Sequence, residues 1–120
     1  MKRIIRRKAG SFNGAKPEIL APAGSRDAFL AALAAGADAV YCGLKSFSAR
    51  MAAQNFSIGE LAVLGDLAHK QRAKLYVTFN ALIKPDEMNS AGRKLALLNR
   101  QAVPDALIVQ DLAVADLARA

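Results

Sequence analysis

Cysteine and histidine are almost missing from this sequence, with Cys42 and His69 the single examples of each. One cysteine excludes a disulfide within the chain and a metal site built from cysteine alone, and it suits a reducing cytoplasm. Long apolar runs are also missing. Nothing approaches the roughly 20 uninterrupted apolar residues of a membrane helix, so no membrane partner is expected. The first apolar segment leads into Pro22-Ala23-Gly24 and not into G-x-G-x-x-G, and no P-loop occurs; a dinucleotide or nucleotide cradle loses its main support. H-E-x-x-H and zinc-ligand spacings are absent. His69 stands late in a helical pattern beside Lys70 and Arg72. Its expected role is that of a solvated residue stabilising a helix C-terminus, and it cannot serve a Ser-His-Asp set.

Acid is missing from residues 1–16, which carry Lys2, Arg3, Arg6, Arg7, Lys8 and Lys16. The formal net charge of +7 is therefore almost entirely the charge of this tail. The body of the chain is close to neutral, so the basic excess is not a face of the fold. A solvated, flexible N-terminus is one reading and a weak RNA contact is another. Ile4 and Ile5 alone do not make the apolar core of a secretory signal.

What is present is alternation. Residues 18–21 read as a short buried strand stopped by Pro22 and Gly24. Ser25 is placed as an N-cap, with Asp27 in the first turn. Phe29, Ala32 and Leu33 give the following helix one apolar face, and Gly36 ends it. Residues 39–42 are continuously apolar, as strands covered on both faces are. A loop spans residues 44–56. Ser57 and Glu60 form a capping-box pattern before a helix carrying Ile58, Leu61, Leu64 and Ala68. Residues 74–79 (KLYVTF) are rich in strand formers. Pro85 and Asp86 turn the chain into a helix with Met88, Ala91, Leu95 and Leu98 on one side. Pro104 and Asp105 lead into a strand at 106–109, and Asp111 stands where a last helix would be capped. The segments GADAVYCG (36–43) and VPDALIVQ (103–110) have the same form, a short repeat of a turn, an Asp and a strand.

Four strand–helix units in sequence imply an α/β fold with parallel strands and right-handed crossovers. An open doubly wound sheet and half of a barrel both satisfy that order. The favoured reading of residues 17–120 is four consecutive β/α units, the N-terminal half of a TIM-like β/α barrel, since a closed barrel needs about 250 residues. The chain is expected to stop before the fold closes.

In either architecture function gathers at the C-terminal ends of the strands. That rule selects Ala21–Gly24, Cys42–Leu44, Asn80, Gln110 and Asp111, together with the loop holding Lys45, Arg50, Gln54 and Asn55. Amides, one or two cations and a carboxylate suit the positioning of a polar or anionic ligand by hydrogen bonds. Each residue has a plainer alternative. Asn80 suits a turn, Asp111 a helix cap, Arg50 a surface cation and Cys42 a packed core thiol. The rim lacks paired carboxylates for acid–base work, and no complete catalytic set is assembled.

Four ordered segments resemble one family. They are PEILAPAGS (17–25), GADAVYCGLKSFSARMAAQNFS (36–57), KLYVTFNALIKPDEM (74–88) and PDALIVQDLAVADLARA (104–120). Each is similar to the N-terminal portion of the collagenase-like peptidase family, unclassified peptidase family thirty-two. The resemblance implies a β/α barrel domain and either protease activity or hydroxylation of RNA bases or ubiquinone precursors. It also implies an iron–sulfur cluster in full-length members, on cysteines beyond the matched stretch, so no cofactor is expected within this chain. The matching rim positions are Tyr41, Gly43, Arg50, Asn55, Asn80, Gln110 and Asp111, as binding candidates. A peptide, RNA or a small anionic molecule is the expected substrate. Two alternatives stand beside this reading. One is a non-catalytic RNA- or anion-binding module. The other is a half-barrel completed by its missing C-terminal half or by a second copy, because an open sheet leaves unpaired edges and an uncovered apolar face.

Overall fold

The computed structural model describes residues 17–44, 56–79 and 84–119. The elements alternate as expected: β1 (Leu20–Pro22), α1 (Arg26–Ala34), β2 (Ala39–Gly43), α2 (Ile58–Lys70), β3 (Lys74–Phe79), α3 (Met88–Gln101), β4 (Ala106–Val109) and α4 (Leu112–Arg119). A 3₁₀ turn at Pro85–Glu87 introduces α3. The basic tail at 1–16 lies outside the described residues, as do Arg50, Asn55 and Asn80.

The four strands form one parallel sheet in the order β1-β2-β3-β4. A doubly wound sheet reverses its strand order at a switch point. Here there is no reversal, and the order is consistent with half of a β/α barrel. The two sheet faces differ accordingly. Alternate strand residues Val40, Cys42, Leu75, Val77, Phe79 and Leu107 join Phe29 and Leu33 of α1, Leu61, Leu64 and Ala68 of α2, Ala91, Leu95 and Leu98 of α3 and Val114 of α4 in one core. All four helices therefore cover the same face. The intervening strand residues Ala39, Tyr76 and Ala106 form a separate thin cluster, flanked by Tyr41 and Ile108. Among the described residues no helix packs there.

Local chemistry explains the element ends. The Ser25 hydroxyl accepts the Ala28 N–H at 3.1 Å. The capping box of α2 is complete: Ser57 Oγ accepts the Glu60 N–H at 3.2 Å, and Glu60 Oε1 accepts the Ser57 N–H at 3.0 Å. Gly36 follows α1 with φ of +89°, a conformation open to glycine without a Cβ clash. Pro22 does not stop β1 but ends it from within. β1 lies at the sheet edge, where a residue without an N–H costs no ladder bond.

The sequence repeat has a physical counterpart. Asp38 donates its N–H to the Ile19 carbonyl at 2.9 Å, and its Oδ2 accepts the Ile19 N–H at 2.7 Å. Asp105 treats Leu75 in the same way, at 2.8 Å and 2.7 Å. Each aspartate thus extends the ladder by one rung, its carboxylate standing in for a backbone carbonyl. The residue two positions earlier is left-handed in both turns, Gly36 at +89° and Val103 at +47°. Lys74, the first residue of β3, occupies the corresponding place two positions after Arg72, whose φ is +62°, but it bonds the preceding turn through its backbone alone, to the Asp38 carbonyl at 2.9 Å.

Candidate functional site

The C-terminal strand ends are fixed by backbone bonds between neighbouring units. The Tyr41 carbonyl accepts the Ala23 N–H at 2.9 Å, which ties the turn after β1 to β2. At the end of β2 the Gly43 carbonyl accepts the Phe56 N–H at 2.9 Å, and Leu44 pairs with Phe56 in a parallel bridge. The loop bearing Arg50 and Asn55 therefore leaves and returns at one point on the rim. Phe56 is buried and meets Phe29 edge-on, with ring centroids 6.4 Å apart at 75°. That contact anchors the returning chain to α1.

Of the rim candidates, Tyr41, Gly43, Gln110 and Asp111 lie within the described residues. Tyr41 is half-buried on the helix-free face. Gly43 is buried and contributes its carbonyl to the loop clasp. Gln110 is exposed directly after β4; its amide offers both donors and an acceptor. Asp111 Oδ1 accepts the Ala113 N–H at 2.9 Å, and its carbonyl accepts the Val114 N–H at 3.0 Å. It caps α4, the plainer of its two expected roles. The β-sheet register brings Gly43 level with Thr78 and Thr78 level with Ile108. The Thr78 hydroxyl donates to the Cys42 carbonyl at 3.3 Å. Among the described residues the rim thus offers the Gln110 amide, the Thr78 hydroxyl and backbone carbonyls, with the Asp111 carboxylate engaged at the start of α4.

Cys42 points to the other side, into the helix-covered core. Burial pushes its thiol up to about 12, so it is protonated at neutral pH and neither nucleophile nor ligand. The packed-thiol expectation holds. An iron–sulfur cluster is held by several cysteine thiolates, commonly four; this chain has one, turned away from the rim, and does not fit that group. Among the described residues no three His, Cys, Asp or Glu side chains come together to hold a metal ion, and no helix is long and apolar enough to cross a membrane.

The opposite end of the sheet carries what sequence reasoning missed. His69 is not simply solvated: its Nε2 lies 2.8 Å from Asp105 Oδ2, the same oxygen that accepts the Leu75 N–H. A His–Asp pair invites a catalytic reading. However, it sits at the N-terminal strand ends, and its carboxylate is already holding the β3–β4 ladder. Conservation of stability, not chemistry, is what that face of β/α units serves. Nearby, the Tyr76 hydroxyl donates to Glu18 Oε1 at 2.9 Å, while Glu18 Oε2 lies 3.8 Å from Lys74 Nζ. Burial, then the hydrogen bond and charge of Glu18, hold the Tyr76 phenol well above its ordinary range. None of these partners is near in sequence, so no local signal could have paired them.

The comparisons with known proteins meet this geometry. The chain is 44 % identical over 102 residues to the 23S rRNA 5-hydroxycytidine C2501 synthase of Escherichia coli, covering 83 % of this chain and 15 % of that protein. It is 35 % identical over 99 residues to the tRNA hydroxylation protein P1 of Bacillus subtilis, covering 82 % and 24 %. It is 34 % identical over 97 residues to the collagenase of Porphyromonas gingivalis, covering 80 % and 23 %. The chain therefore spans less than a quarter of the length of these relatives. No solved structure matches it significantly. The profile of Peptidase family U32 matches residues 24–120, which take in every described element from α1 to α4 and all seven rim candidates. The chain belongs to Peptidase family U32.

Proposed function

We propose that this domain is the substrate-facing half of a TIM-like β/α barrel and that the reaction it serves is hydroxylation of an RNA base. The observation that carries this reading is the 44 % identity to an rRNA hydroxycytidine synthase over 102 residues, 83 % of the chain. The rim chemistry supports it. Gln110, exposed after β4, and the half-buried Tyr41 ring offer neutral hydrogen bonds and an aromatic face, which suit an unstacked base. Peptide hydrolysis asks for an activated nucleophile or a metal-bound water. The Cys42 thiol is neutral and faces the core, and His69 stands at the far end of the sheet. The chain's own part is to bind and orient the base and to hold it against a rigid edge; groups outside it supply the oxidation. Action in the cytoplasm, where rRNA and tRNA are modified in bacteria, follows from this reading.

The test is nucleoside mass spectrometry of rRNA and tRNA from cells with and without the gene encoding this chain. Loss of a nucleoside heavier than its parent by one oxygen atom is the expected result. An unchanged nucleoside profile, with loss of gelatin hydrolysis instead, overturns the reading in favour of the peptidase.

A further inference from the structure

α3 differs from the other helices in charge. α1 carries Asp27, α2 carries Glu60 and Asp66, and α4 carries Asp116. α3 carries Arg93, Lys94 and Arg100 and no acid, and the sequence holds none between Glu87 and Asp105. Among the described residues the ion pairs are His69–Asp105, Lys70–Asp66 and Lys74–Glu18, and the three α3 cations take part in none. Asp86 and Glu87 precede the helix, and Glu87 is engaged there, its Oε1 accepting the Lys84 N–H at 2.9 Å.

The cations face outward because the other side of α3 is taken. Ala91, Leu95 and Leu98 are buried in the core. Arg93 and Arg100 are seven residues apart, close to two turns, so they share one face about 10 Å apart along the axis. Both are exposed, and Lys94 is partly so. This arrangement narrows the partner. A basic amphipathic helix that binds a membrane surface or a groove does so through its apolar face, and here that face is already buried. Only the charged face is free. Unpaired guanidinium groups in a row match a row of phosphates, each able to accept a bidentate pair of hydrogen bonds. The position suits the same partner. α3 leads from the end of β3 back to the start of the parallel strand β4, so it begins at the level of the rim and its outer face descends from there. An RNA strand with one base held at the rim can run its backbone down this wall.

We propose that the outer face of α3, through Arg93, Lys94 and Arg100, is a phosphate-contacting surface for the RNA that flanks the modified base. The inference rests on the RNA reading above and adds where the backbone of the substrate runs. Contacts to phosphates fix register and supply affinity but carry no sequence preference of their own.

The test is fluorescence anisotropy of a labelled single-stranded RNA of mixed sequence, titrated with the intact protein that carries this chain over a series of salt concentrations. Residues 1–16 are present in every variant, so their charge cancels from the comparison. The triple variant Arg93→Gln, Lys94→Gln, Arg100→Gln is expected to bind roughly tenfold more weakly and to flatten the slope of log affinity against log salt by about 2, from roughly 0.7 per phosphate on a single strand. Arg93→Lys with Arg100→Lys keeps the charge and is expected to keep the slope. Lys70→Gln, at a cation already paired with Asp66 at 3.0 Å, is expected to change neither quantity. Gln is close to Arg and Lys in helix propensity, so the fold is retained. If the triple variant nonetheless melts early, Arg93→Gln alone decides, with an expected flattening of about 0.7. RNA binding with affinity and slope unchanged overturns the inference, leaves the hydroxylation reading standing, and frees the face for an acidic protein segment. An equal loss in Lys70→Gln overturns it too, since net charge and not this face then sets the affinity. An intact protein that binds no RNA even at the lowest salt overturns the inference together with the reading it rests on.

Discussion

The paired aspartates ahead of β2 and β4 offer a quantitative test of how the units are joined. Asp38 and Asp105 make the same two bonds to Ile19 and Leu75, but their surroundings differ. Leu75 is fully buried, whereas Ile19 is 61 % exposed. Truncating Asp105 to Ala strands the Leu75 N–H away from water, which costs about 1–3 kcal/mol for a buried unpaired donor. The same change removes the contact to His69. Both side chains are 35 % exposed, so solvent screening limits that term to about 0–1 kcal/mol. The sum is about 1–4 kcal/mol, centred near about 2.5 kcal/mol. Asp38→Ala leaves an Ile19 N–H that water can reach, and its loss is about 0.5–1 kcal/mol, the net value of one hydrogen bond. The expected gap between the two variants is roughly 1–2 kcal/mol. For a small domain with a urea slope of about 1–2 kcal/mol per molar, that is a difference of about 1 M in midpoint. Urea melts followed by circular dichroism, at one protein concentration throughout, read this directly. Equal midpoints, or a lower one for Asp38→Ala, would refute the reasoning that burial of the receiving backbone sets the value of the clamp.

The same contrast shows what was legible in the sequence. Strand and helix order followed from apolar periodicity and from caps whose partners lie three residues apart, as with Ser57 and Glu60. The β3 and β4 spans, 74–79 and 106–109, match the structure because continuous β-branched and aromatic runs between turn residues leave little choice of ends. β1 shifted from 18–21 to 20–22, because the bonds at Ile19 go partly to a side chain and Pro22 is tolerated at an edge. Tertiary links were not legible. His69 and Asp105 are 36 residues apart, and Tyr76 and Glu18 are 58 apart. Such partners are set by strand register, which four separate segments do not encode until they are stacked. For the rim, the strand-end rule found the right edge. It could not tell a capping Asp111 from a ligand-binding one, since both roles use the same carboxylate at the same helix start.

Three further outcomes are expected. Val103→Gly relieves a β-branched residue at φ of +47° that is 56 % exposed, and should stabilise the fold by about 1 kcal/mol, seen as a higher melting temperature; a lower one would show that Val103 packs more than it strains. A Cβ at Gly65 would lie 2.9 Å from Leu75 Cδ2 and 3.1 Å from the Ala102 carbonyl oxygen, whereas one at Gly92 meets nothing nearer than 4.0 Å; Gly65→Ala should destabilise by about 1–3 kcal/mol and Gly92→Ala should stabilise by up to about 1 kcal/mol in the same melts. Cys42, raised from 9.0 to about 12 in the folded chain, contributes no pH dependence below 9, and its stabilisation is lost between 9 and about 12 as the unfolded thiol ionises and the folded one does not; the slope should be smaller in Cys42→Ala, with the raised Tyr76 phenol still contributing above 10, and iodoacetamide should label Cys42 at pH 8 only as fast as the chain opens.

The measurement that bears most directly on the account is the mapping of RNA–protein photocrosslinks formed in living cells. The account predicts crosslinked peptides from the C-terminal strand ends, around residues 41–56 and 106–111. Crosslinks confined to the basic residues 1–16, or to the His69–Asp105 end of the sheet, would contradict it.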